Sequence, residues 1–210
     1  MILQYWLKQT QKKSFHAEFS VLCEEKEIGR ISFSSGSRKK QMWQGKVRDM
    51  DIVMRRMPVP SIFSPVYAPF EVELNRCICG SLCKFRDGGW GTPLYYQQLE
   101  LNKQVFQLYD LGCGKQGMKC PVLLDNQQIG LVTKEPHIQR ELHNFAFYPQ
   151  NAEQMLPVLL LTCNYYFQKY YIGIGGSVSS TQYILTHDQR ILAKSDEKFL
   201  KKIRDSGYPV

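Results

Sequence analysis

The chain has 210 residues, of which 43% are hydrophobic and 22% charged. That is ordinary globular composition, long enough to bury roughly 70% of the unfolded surface, so a chain without a core is excluded. The net charge of +8 and pI of about 9.1 leave three readings: solvated basic faces, an anionic membrane surface, or nucleic acid. Seven cysteines with no secretory leader, since the apolar start at 1–7 is too short, predict free thiols in the reducing cytoplasm.

Along the chain, short alternating runs predict strands joined by tight polar turns. "HAEFSVLC" alternates through Ala17, Phe19 and Val21, and "EIGRISF" follows a turn at 24–26. "KVRDMDIVM" and "FEVEL" come next, each read as one strand. "YYQQLEL" and "QVFQLYD" flank Asn102-Lys103, a two-residue hairpin turn candidate. "PVLLD", "QIGLVT" and "RELHNFAFY" complete about nine strands. Two stretches echo each other: "VLCEEKEIGRI" from Val21 and "VLLDNQQIGLV" from Val122. Each is strand, polar turn, strand, with glycine where a neighbour comes close. "ILTHDQRIL" from Ile184 reads as the same hairpin without the glycine.

Between the two echoing hairpins lies "PVPSIFSPVYAP", with Pro58, Pro60, Pro65 and Pro69. Four prolines there exclude a helix or a central strand and predict a linker, a loop or a lid. Residues 112–119 form a glycine-rich loop. The stretch 152–171, "AEQMLPVLLLTCNYYFQKYY", is the most apolar. Its strictly apolar part, Met155 to Leu161, is too short to span a bilayer, and Asn164, Gln168 and Lys169 follow it. Asn151 is the expected N-cap, with Gln154 three residues on, and Gly173, Gly175 and Gly176 are the expected stop. A helix apolar around nearly its whole circumference is a buried one. The C-terminal "SDEKFLKKIRDSG" is an amphipathic helix capped by Ser195 and stopped by Gly207.

Many strands with one all-round apolar helix predict an α+β, mostly β, fold: a closed antiparallel barrel around the central helix 152–171, plus a short C-terminal helix. An eight-stranded barrel is filled by its own side chains, so about 10–12 strands are expected. The order of features resembles the tubby-like group of β-barrels, which includes the tubby C-terminal domain, phospholipid scramblases and the plant LURP-one-related proteins. "YWLKQTQKKSFHAEFSVLCEEKEIGRI" resembles the opening hairpin of the LURP-one-related proteins. "VLLDNQQIGLVTKE" resembles their later hairpin, and "ELHNFAFYPQNAEQMLPVLLLTCNYYFQKYY" resembles their last strand and central helix. The resemblance covers roughly residues 1–172 and implies one tubby-like domain over 1–210, with two similar halves joined by the loop at 58–69. In those families the apolar helix lies at or near the C-terminus, whereas residues 173–210 follow it here. The calcium-binding acidic segment and the palmitoylated cysteine cluster of scramblases have no counterpart, so scrambling is not implied.

Candidate chemistry is sparse. Cys77, Cys79 and Cys83 have a Cys-x-Cys-x3-Cys spacing, which is not that of a zinc site. They are weak metal candidates, and three small buried residues on one strand face is the simpler account. His16, His137, His143 and His187 form no ligand or catalytic spacing, and no cofactor is expected. Arg38, Lys39 and Lys40 with Trp43, and Arg55 with Arg56, are the candidate phosphate-binding residues. The leading expectation, which leans on the resemblance, is a non-enzymatic binding or regulatory module. It is cytoplasmic or membrane-peripheral and contacts anionic lipid head groups through basic loops, or a protein partner. The alternatives are a small-ligand barrel or an enzyme with its site beneath the 58–69 loop, and then nucleic-acid binding.

Overall fold

The computed structural model describes residues 2–36, 41–58, 68–87, 93–134, 142–171 and 185–210. Twelve described strands follow in chain order: β1 (Tyr5–Lys13), β2 (His16–Cys23), β3 (Lys26–Ser35), β4 (Gln41–Val47), β5 (Met50–Arg56), β6 (Phe70–Leu74), β7 (Cys77–Asp87), β8 (Leu94–Leu101), β9 (Gln104–Tyr109), β10 (Met118–Leu124), β11 (Gln127–Lys134) and β12 (Asn144–Pro149). Each pairs antiparallel with the next, and β1 pairs with β12 from Tyr5↔Phe147 to Lys8↔Asn144, which closes the barrel. Closure satisfies every edge that an open sheet would expose.

The apolar stretch forms helix α1 (Met155–Lys169) inside this barrel. Its side chains from Val158 to Leu161 are fully buried, as are Thr162, Cys163, Asn164, Tyr165 and Tyr166. Wall contacts come from all around: Phe19 of β2, Trp43 of β4 and Phe145 of β12 pack on Tyr166. Phe33 of β3 and Phe70 of β6 pack on Phe167. Gln97 of β8 bonds Asn164, and Gly130 of β11 lies against Val158. The helix is shorter than 152–171 at both ends. Asn151 acts in the turn before it, its Oδ1 accepting from the Gln154 N–H at 3.1 Å, and Gln154 takes the N-cap position without a side-chain bond. Pro157 falls in the first turn, where no intrahelical donor is lost. The expected glycine stop at 173–176 lies outside the described residues.

Twelve strands agree with the 10–12 expected for a barrel that holds a helix, and three of them were not among the nine segments read from the sequence. "KVRDMDIVM" is not one strand but the junction of β4 and β5, turned at Arg48 with φ 54°. β1 and β7 are the other two. The two echoing hairpins are structurally alike: Val21 pairs with Gly29 and Val122 with Gly130, and in both the register shifts immediately after the valine. A third copy lies between them, Val72 with Gly80, with the same shift. The extra residue of each bulge is Ile28, Cys79 or Ile129, packed on the barrel core immediately before the glycine. The bulged hairpins recur every fourth strand around the closed barrel, where bulges increase bend and twist. A Cβ at Gly29 would lie 2.3 Å from the Lys46 carbonyl oxygen, and one at Gly80 would lie 1.9 Å from that of Glu100. The residues 59–67 of the proline-rich joint between the expected halves lie outside the described set.

After the barrel, "HDQRIL" is not a hairpin. Asp188 caps a short helix, α2 (Gln189–Leu192), by accepting from the Arg190 N–H. Helix α3 (Glu197–Asp205) is capped by Asp196 rather than Ser195, and Gly207 ends it at φ 90°. Its Phe199, Leu200 and Ile203 pack on Ile2, Leu131, Ala146 and Tyr148 on the outer wall. No described helix is long and apolar enough to cross a membrane.

Gly80→Ala should therefore force a backbone shift between β7 and β8. A loss of about 1–3 kcal/mol in urea denaturation is expected, with the circular dichroism of the folded barrel retained.

Candidate functional site

The two mouths of the barrel differ. At the end where α1 begins, the strands are joined by two-residue turns at 24–25, 48–49, 75–76, 102–103 and 125–126. Asn75-Arg76, Asn102-Lys103 and Asp125-Asn126 all have positive φ, as a type I′ turn requires. Asn102-Lys103 thus forms the tight hairpin expected of it. At the end where α1 finishes, β1 and β2 are joined by a two-residue turn at 14–15, and the other connections are longer: 36–40, 57–69, 88–93, 110–117 and 135–143. Loops of this kind on a rigid frame carry function more often than the frame does.

The last inward-facing row of the wall at that mouth is polar and mostly basic. Paired residues share a face, so the partners fix orientation. Lys12 pairs with buried Ala17, Arg56 with Phe70, Lys84 with buried Gln97, and Lys134 with Met118. Lys169 joins them from the last turn of α1. These cations surround the carbonyl end of the helix, where the macrodipole is negative. Asp110, just past β9, is the acid among them. It accepts from Tyr165 Oη at 3.0 Å and forms an ion pair with Lys169, so two residues one helical turn apart clasp one carboxylate.

Several of these cations are held against aromatic rings. The Arg56 guanidinium lies 5.3 Å from the Phe167 ring centre and bonds Gln41. The Lys84 ammonium lies 4.9 Å from the Tyr95 ring. Lys134 is only 3% exposed, and its ammonium sits 5.6 Å from Phe145 and 5.8 Å from Tyr170. Burial lowers the pKa of Arg56. Burial, then Lys169, lowers that of Lys84, with Asp110 opposing. Both are cations whose hydration has been partly stripped away.

His143 stands in the same row. It is fully buried, with its ring 4.7 Å from that of Tyr170 and 5.8 Å from that of Tyr166. Its peptide N–H donates to Gln9 Oε1 at 3.0 Å, and its carbonyl accepts from the Gln9 N–H at 3.1 Å. Neither ring nitrogen has a hydrogen-bond partner. Burial, then Lys134 and Lys12, push its pKa down to about 3, so the imidazole is neutral.

The residues singled out from sequence scatter relative to this collar. Arg56 belongs to it. Arg55, its neighbour, faces outward and pairs with Glu73. Trp43 is fully buried deep in the lumen, packed on Phe19 and Phe33, so its ring faces protein rather than a ligand at the surface. Arg38, Lys39 and Lys40 lie outside the described residues. Cys77, Cys79 and Cys83 do not share a buried face: the bulge turns Cys79 inward, Cys77 is exposed, and Cys83 lies beside inward-facing Leu82 with the opposite orientation. No group of three or more metal-ligating side chains occurs among the described residues. Burial pushes the thiols of Cys120 and Cys163 far up, which makes them inert rather than nucleophilic.

Sequence reasoning passed over Lys12, Lys84, Lys134, Lys169 and His143. Part of the signal was present: "LCKF" and "LVTK" set a base two residues after an inward-facing apolar one, whereas Lys12 in "TQKK" turns inward only because the register shifts between Gln9 and Gln11. Comparison with protein-family models, curated proteins and solved structures gives no match to this chain.

The neutral state of His143 predicts a pH slope. The unfolded chain binds a proton on this residue below about pH 6.5 while the folded chain does not, so stability falls as pH drops from 6.5 toward 3. The slope is at most about 1.4 kcal/mol per pH unit. His143→Gln should flatten it between pH 7 and 5 in denaturation titrations, above the range where most carboxylates titrate.

Proposed function

We propose that the chain is a tubby-like barrel acting as a non-enzymatic binding or regulatory module, with its loop-bearing mouth as the binding surface. The favoured partner is an anionic lipid head group. The kinship is supported by the order of hairpins and apolar helix in the sequence and agrees with a closed twelve-strand barrel holding a helix. The observation that carries the binding reading is the convergence of Lys12, Arg56, Lys84, Lys134 and Lys169 on one mouth. Arg38, Lys39 and Lys40, which lie between β3 and β4 in the sequence, add three further bases to the reading.

Part of this charge answers the helix dipole and Asp110. Partly dehydrated cations held on aromatic rings lose little on meeting an anion, because their water is already gone and their positions are fixed. The enzyme reading has no such support: the described thiols at the core are inert and His143 touches no nucleophile. Two open grooves of about 850 and 840 Å³ among the described residues lie on the outer wall.

Each lysine near an anionic surface contributes about 1 kcal/mol, or roughly fivefold in partition. Lys84→Gln, and separately Lys39→Gln with Lys40→Gln, should weaken co-sedimentation with phosphatidylserine-containing vesicles by about that factor per lysine. Neutral vesicles should not pellet the protein, and added salt should release it. Equal pelleting of wild type and variants would end the reading.

A further inference from the structure

We infer that the rim of the loop-bearing mouth carries apolar tips, led by Phe15, that enter the head-group layer of an anionic bilayer and set the barrel upright on it. This inference rests on the binding reading above and names a membrane surface, rather than a free anion, as the partner of that mouth.

The exposed rings of the barrel collect at one end. Phe15, in the turn between β1 and β2, is 45% exposed. Phe85 and Tyr95, near the ends of β7 and β8 that face the same mouth, are each 39% exposed, and Met57, the residue after β5, is 40% exposed. Single apolar residues on a surface are ordinary and ask for no partner. Here they are sorted by chemistry: among the described residues, the large exposed apolar side chains at the opposite mouth are the aliphatic Ile78 and Val105, and no exposed ring stands there. Two of the tips are also held in place. The Phe15 carbonyl accepts from the Ser35 N–H, and the Met57 N–H donates to the Pro69 carbonyl, both at 2.8 Å.

Bases adjoin three of these tips in the sequence. Lys13 precedes Ser14-Phe15, Arg56 precedes Met57, and Lys84 and Arg86 flank Phe85. Lys13 and Arg86 are exposed and form no ion pair among the described residues. Rings and methionine set among bases match a bilayer interface, where acyl chains begin just beneath negative head groups. The opposite mouth mixes both signs: Glu24, Glu25, Asp49 and Asp125 stand in its turns beside Arg48, Arg76 and Lys103. A negative surface is therefore met by the loop-bearing end. The spacing favours a flat partner. Phe15, Met57 and Phe85 stand two or three strands apart around the ring, roughly 10–15 Å at 4.8 Å per strand. They do not merge into the single apolar patch that the core of a protein interface needs. Insertion of a few tips and attraction by bases are each weak, and together they hold a protein to a membrane.

The whole chain is titrated with vesicles of phosphatidylcholine and phosphatidylserine at several salt concentrations. Phe15→Ser should weaken partition by roughly fivefold, since only the exposed part of the ring gains burial. Its salt dependence should run parallel to that of wild type, because no charge has changed. Depth is read with lipids brominated on their acyl chains, which quench an indole that reaches them. On bound vesicles Phe15→Trp should gain quenching over wild type, and Val105→Trp, at the opposite mouth, should gain none. Both side chains are exposed, so neither change disturbs the core. Equal partition of wild type and Phe15→Ser, no gain of quenching at position 15, or an equal gain at position 105 would overturn the inference. Any of these, with the vesicles still pelleting wild type, leaves the binding reading standing. Anionic vesicles that pellet neither wild type nor variants would overturn both.

Discussion

A closed sheet of twelve strands encloses a lumen wider than its own side chains can fill, and α1 is what fills it. The requirement runs both ways. The helix must be apolar on every side, because wall side chains meet it from every direction, and its few polar groups must find partners inside. Asn164 finds Gln97 at 2.8 Å, Tyr165 finds Asp110, and the Thr162 hydroxyl bonds back to the Val158 carbonyl at 2.7 Å. The wall must in turn leave room where the rod comes close. At Gly130 a Cβ would stand 2.8 Å from Val158 Cγ2. Farther along, a run of rings from Phe19, Phe33, Trp43 and Phe70 on the wall meets Tyr166 and Phe167 on the helix. Offset and edge contacts of this kind each add about 0.5–1.5 kcal/mol beyond burial.

The direction of α1 creates the difference between the mouths. The chain leaves β12 at the tightly turned end, so the helix starts there and its carbonyl end reaches the loop-bearing end. The tight turns fit closely around the helix start and leave little chain free for anything else. The opposite mouth combines long connections, a negative helix terminus and a polar last row on the wall. Bases collect there because the dipole favours them, and rings from the same row hold them in place. That arrangement suits a stable lid on the lumen. It is also the arrangement on which the proposed binding of negative charge rests.

The residues after α1 bind the outer wall at two points. Around Gly112, Thr186 exchanges hydrogen bonds with the backbone, and Ile191 packs beside Leu94, Tyr109 and Leu123. Farther on, the three apolar residues of α3 cover Leu131, Ala146 and Tyr148, which face outward because Gly130, Phe145 and Phe147 face in. β11 and β12 are therefore covered on both faces, and their near-continuous apolar sequences follow from that.

The amino-acid order alone determined the barrel class, the buried helix and the Val-to-Ile-Gly hairpins. These depend on local periods, on apolar content and on glycine, which act over a few residues. It also placed bases at the ends of three strands, but not their meaning. A single misjudged turn at Arg48 merges two strands, and an unseen bulge before Gly80 makes three cysteines look like neighbours on one face. Only the tertiary structure decided that Lys12, Arg56, Lys84, Lys134, Lys169 and His143 belong together, since they come from five strands or their flanks and one helix, spread over most of the chain. Their proximity is a product of closure and register, and closure is set by the pairing of β1 with β12, residues too far apart in sequence for any local pattern to announce.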